Sequence, residues 1–156
     1  MNQITCTLIV GVTAISLTLA AQQPTKQFPH EEKTTAKVKQ GESRGAVQYK
    51  IASWPNELRA GDCGQKPGTL TIGSDGSLHW EAVTYTYSTH SGDIWHASFN
   101  LLDKDGVSLG STAYHDSPRM NDGNGGPPPK YRWTADDTYN GANFAAIVSV
   151  TEGYKC

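Results

Sequence analysis

Apolar and polar residues alternate along much of the chain, and no segment sustains the 3.6-residue apolar period of an amphipathic helix. Residues 47–51 (VQYKI) alternate with period two, as a half-buried strand does. Residues 69–72 read as a short strand, followed by the hairpin turn Gly73-Ser74-Asp75-Gly76, because Asp and Gly tolerate positive φ. Residues 77–89 form the longest strand, and its apolar phase slips near Ala82-Val83: Leu78, Trp80 and Ala82 share one face, while Val83, Tyr85 and Tyr87 share the other. A β-bulge at that point would realign both halves on one core; a strand covered on both faces is the alternative. Residues 94–102 set Trp95, Ala97, Phe99 and Leu101 against His96, Ser98 and Asn100, and Asp103-Lys104-Asp105-Gly106 then turns the chain into 107–114. Strand character returns at 131–134 and 145–151, with a turn or a single helical turn over 136–143. Residues 55–68 read as a loop, as do 116–130, where NDGNGGPPPK is too rich in Gly and Pro for a central strand. The expected fold is all-β, an antiparallel β-sandwich or small barrel.

Domain boundaries follow from where this pattern starts. Residues 4–21 carry no charge and end in small residues, so residues 1–21 are expected to be a cleaved signal peptide, with a retained anchor as the alternative. Residues 22–45 are polar and nearly free of large apolar side chains, which predicts a flexible spacer or a propeptide. The folded domain is then 46–156. Sixteen glycines and eight prolines fit a turn-rich fold, and a net charge of −2 gives no reason to expect nucleic acid as a partner.

Motifs that carry chemistry are scarce. Asp103-x-Asp105-Gly106 resembles the opening of a calcium loop, but Val107, Leu109 and Thr112 supply no further ligands, and a hairpin turn accounts for it. The five histidines, His30, His79, His90, His96 and His115, have no zinc-site spacing, and no metal or other cofactor is expected. There is no G-x-S-x-G elbow and no phosphate-cradling loop. Four tryptophans and seven tyrosines are the useful surplus, since both residue types stack on sugars or anchor protein interfaces. Trp80 and Trp95 are assigned to the core. Trp54, Tyr85, Tyr87 and Tyr114 are the ligand-binding candidates at the surface.

The order Gly61-Asp62-Cys63, Leu70, Asp75-Gly76, Trp95, Leu101-Leu102-Asp103-x-Asp105-Gly106-x-x-Leu109-Gly110, Tyr131-Arg132-Trp133 and Cys156 resembles a family of small secreted bacterial proteins known only as a domain of unknown function. The likeness covers about residues 61–156. It implies a secreted β-domain with its two mature cysteines paired, and no activity. The cysteine count agrees: removal of the signal peptide takes Cys6, leaving Cys63 and Cys156 to form one disulfide in an oxidising compartment. The leading expectation is a secreted or periplasmic, monomeric, non-catalytic binding module for a glycan or a protein, with no membrane span once the signal is cleaved. The rival is a hydrolase using His79, Glu81 or His96 with Asp93. A third reading is a structural or inhibitory partner of another secreted protein.

Overall fold

The structure is a computed structural model that describes residues 30–156. The expected signal peptide lies outside the described residues. Ten strands follow in order: β1 Glu32–Gln40, β2 Tyr49–Trp54, β3 Leu58–Ala60, β4 Cys63–Gly73, β5 Ser77–Thr86, β6 His96–Leu102, β7 Ser108–Ser111, β8 His115–Asp116, β9 Tyr131–Thr138 and β10 Ser149–Lys155. The turn expected over 136–143 comes later: β9 runs on to Thr138, a 3₁₀ turn occupies Gly141–Ala146, and the last strand begins four residues later than the apolar run does. All pairings are antiparallel, in the order β7-β6-β10-β1-β2-β4-β5-β9, with β3 added to β4 and β8 to β6. The fold is all-β, one sheet curled into a half-barrel.

Two DG turns set the hairpins as the sequence requires. Gly76 and Gly106 adopt φ of 90° and 79°, and each N–H donates to the carbonyl three residues earlier. In the second turn the Asp103 carboxylate accepts the N–H groups of Asp105 and Val107, so it serves the hairpin.

Residues 22–45, expected as a spacer, need correcting. Within them β1 occupies the centre of the sheet: Glu32–Lys37 pair with β10, and Val38–Gln40 pair with β2. β1 therefore joins two walls, one of β10, β6, β7 and β8, the other of β2, β3, β4, β5 and β9. Its inward residues Thr34, Ala36 and Val38 are only half-buried, and Lys33, Thr35, Lys37 and Lys39 face out. Backbone pairing on two sides holds this strand, not a large apolar face. The loop expected over 55–68 likewise contains β3 and the start of β4.

The two sheet ends approach each other without a ladder. His115 on β8 bonds Asp137 on β9 at 3.0 Å, and the Asn143 amide donates to the Leu109 carbonyl of β7 at 2.9 Å. Side chains thus close the curl where backbone pairing stops.

Between the walls lies an aromatic core. Trp80 of β5 meets Phe99 of β6 at 4.7 Å, Trp54 at 5.7 Å and Trp133 at 6.3 Å between ring centroids. Trp95 stacks on Tyr154 at 5.1 Å. Trp80 and Trp95 are in the core as expected, but Trp54, expected at the surface, is 4% exposed.

β5 keeps one phase throughout. Leu78, Trp80, Ala82, Thr84 and Thr86 all face the interior, and its register with β9 is unbroken. The expected bulge lies instead on the neighbouring strand, where Lys66 and Pro67 of β4 stand opposite Val83 between the pairs Gln65↔Thr84 and Gly68↔Ala82. The apparent slip arises because the inward positions turn polar: Thr84 and Thr86 join Gln65 and Glu152 in a buried polar layer at one end of the core.

Candidate functional site

The outer face of the β4 wall carries a groove of about 950 Å³ between the sheet and the segment 41–44 that follows β1. Strand register builds its floor. Ile51, Thr71, His79 and Asp136 are successive partners on β2, β4, β5 and β9, so four outward side chains form one rung. Tyr49, Glu42 and Arg44 flank that rung, and Arg44 lies 6.0 Å from the Tyr49 ring centre.

The polar groups are already ordered by each other. His79 Nδ1 lies 2.6 Å from Asp136 Oδ1, which leaves its Nε2 as the free ring atom. One rung on, Arg132 donates to Glu81. Asp75, in the turn beneath, accepts the hydroxyl and N–H of Ser77, and those bonds hold its carboxyl below the usual range. The groove therefore offers an imidazole, carboxylates, arginines, a threonine hydroxyl and one aromatic ring. Glu42, Glu81 and Asp136 line the groove with Arg44 and His79, and Arg132 at its margin neutralises Glu81.

The aromatic candidates do not gather here. Trp54 is in the core. Tyr85, also expected at the surface, is 6% exposed: its ring lies flat on Gly64, where a Cβ would stand 2.5 Å away, and burial drives its hydroxyl pKa strongly upward. Tyr87 is exposed and packs edge-on against Tyr85 at 5.4 Å; Arg59 lies 4.2 Å from its ring centre and Glu57 accepts its hydroxyl at 3.0 Å. Arg59 holds the Glu57 carboxyl below its ordinary pKa. Tyr114 is exposed beside the other wall, with Lys155 4.4 Å from its ring centre.

Nor do the residues named for hydrolysis converge. His79 and Glu81 share the groove, His96 bonds Asp116 beside β6 at 2.6 Å, and Asp93 accepts the hydroxyls of Thr86 at 2.6 Å and Thr89 at 3.1 Å. Asp93 also approaches Cys63 and Cys156, whose sulfurs are joined in a disulfide with Cα atoms 6.0 Å apart and so are not thiolate ligands. The residues that complete the groove and escaped the sequence reading are Arg44, Tyr49, Thr71 and Asp136, with Arg132 reaching its edge through Glu81. The register of β5 with β4 and β9 was the missing information.

Among the described residues no helix is long and apolar enough to cross a membrane. A protein-family model described as a family of unknown function (DUF6294) matches residues 69–156. No curated protein and no solved structure matches the chain.

Proposed function

The chain belongs to that family of unknown function, and from its own geometry we propose that it is a secreted, monomeric, non-catalytic binding module whose outer groove takes a neutral, polyhydroxylated ligand, a saccharide. The observation that carries this reading is the rung Ile51–Thr71–His79–Asp136 beneath the flanking Tyr49 and Arg44. Paired donors and acceptors suit hydroxyl groups, which both donate and accept, and an aromatic flank suits the apolar face of a sugar ring. Groups already held by His79–Asp136 and Glu81–Arg132 bonds lose little freedom on binding. Export is supported by the disulfide and by the uncharged run at residues 4–21.

A glycan microarray probed with the wild-type chain and with His79→Ala tests this reading. Binding to neutral glycans that falls about tenfold in His79→Ala is expected, the loss of roughly one good hydrogen-bond set. Binding unaffected by His79→Ala, or confined to anionic glycans, would contradict it.

A further inference from the structure

The two walls part along one stretch of β1. The β1–β2 ladder stops at Val38↔Ala52, and extending its register would set Thr35 against Pro55, which has no N–H to donate. β1 continues past that point paired with β10 alone. Val38 donates toward the β10 side and Gly41 toward β2, so alternation turns the N–H and C=O groups of Lys33, Thr35 and Lys37 away from β10. The Lys37 carbonyl still faces the Ser53 N–H to close the Val38↔Ala52 pair, but beyond it no ladder among the described residues reaches the Lys37 N–H or the outward groups of Thr35 and Lys33. Across the gap β3 pairs only with β4. The slot between them has a volume of about 390 Å³, with Ala36, Trp54, Pro55 and Leu58 among its lining residues.

We propose that this slot binds an extended acidic peptide segment of a partner protein, added as a strand along the free edge of β1. Main-chain bonds to Lys33, Thr35 and the Lys37 N–H would hold the segment, as in other strand additions to open sheet edges. Alternation would turn its small apolar residues toward Ala36 and Leu58 and its acidic residues outward, beside Lys37 and Lys39. Those two lysines make no ion pair among the described residues, whereas Lys33 already faces Glu31 at 3.8 Å. The same charges argue against a second copy of this chain as the occupant, because two β1 edges laid together would oppose lysine to lysine.

The probe is a fluorescent peptide, acetyl-Glu-Val-Glu-Val-Glu-Val-Glu-amide, with a Lys-Val counterpart, measured by anisotropy against the full chain, alongside amide hydrogen exchange. The acidic peptide is expected to bind and to slow exchange at the Thr35 and Lys37 amides, with affinity falling as salt rises. Thr35→Pro removes a slot-facing N–H while sparing the backbone ladder to β10, and is expected to weaken binding about tenfold, with only the small fall in melting temperature that loss of the exposed Thr35–Thr151 hydroxyl bond brings. Should that variant fold poorly, K37E/K39E gives an independent reading, since it is expected to reverse the preference toward the Lys-Val peptide. The proposal is overturned by equal binding of both peptides, by preference unchanged in K37E/K39E, or by Thr35 and Lys37 amides already protected in the free protein.

Discussion

Glu152 sits on β10 at 0% exposure, facing the interior with Gln65 of β4 and with Thr84 and Thr86 of β5. The Gln65 amide donates to its carboxyl at 3.2 Å; the Trp95 indole N–H lies nearby but outside hydrogen-bonding geometry, and no cation pairs with it among the described residues. Loss of hydration therefore dominates and raises its pKa to about 8, against the smaller opposing effects of Gln65 and Trp95. For an acid, a folded-state pKa above the unfolded value of 4.5 means that the folded chain holds the extra proton between those pH values. Stability attributable to this group is thus full below about pH 4.5, falls as pH rises, and is lost by about pH 8. Glu152→Gln keeps the shape and removes the proton, so its urea midpoint should change less between pH 5 and pH 8 than that of wild type. Equal slopes would contradict this assignment. Trp54 supplies the complementary case. Packed between Trp80 and Phe99, its replacement by alanine should cost about 3–5 kcal/mol in chemical unfolding. A surface ligand platform would lose almost no stability. At this scale sequence separates core from surface only where polarity and burial agree. Trp80 and Trp95 were legible. Tyr85 was not, because a glycine on the adjacent strand makes room for its ring, and Thr84 and Glu152 were not, because polar residues ordinarily face out.

Among the elements, the hairpins at Gly73–Gly76 and Asp103–Gly106 were legible because turn chemistry is local and a DG pair leaves few conformations open. β1 was invisible for the opposite reason. Its Lys- and Thr-rich sequence reads as solvated chain, and its partners, β10 and β2, include a strand more than a hundred residues away. The groove suffered similarly: His79 was noticed, but Asp136 becomes its partner only through the β5–β9 register. The disulfide secures the C-terminal end of β10 to the start of β4 and closes a 93-residue separation. In the chain-entropy account so long a loop contributes about 4–5 kcal/mol, less any native strain. Cys156→Ser should lower the melting temperature, and thiol titration of the oxidised chain beginning at His30 should find no free thiol. An unchanged melting temperature would show that the bridge does not constrain the unfolded chain.

For the molecule as a whole, β1 is, among the described residues, the only strand whose ladders reach both walls. Side-chain contacts such as His115–Asp137 and the Trp80–Phe99 pair hold the walls together elsewhere. A chain beginning at Ala46 retains every large core side chain yet lacks this link, and it should lose cooperative thermal unfolding while the chain beginning at His30 keeps it. Retention of a sharp transition by the shorter chain would demote β1 to an accessory strand. With the frame intact, β2, β4, β5 and β9 together present the outer groove to a ligand. The most direct measurement is a ¹H–¹⁵N chemical-shift titration of the folded domain with a neutral oligosaccharide selected on the microarray. Perturbations centred on Tyr49, Thr71, His79 and Asp136 are predicted; perturbations centred on Tyr87 or Tyr114, or no perturbation at saturating saccharide, would contradict the account.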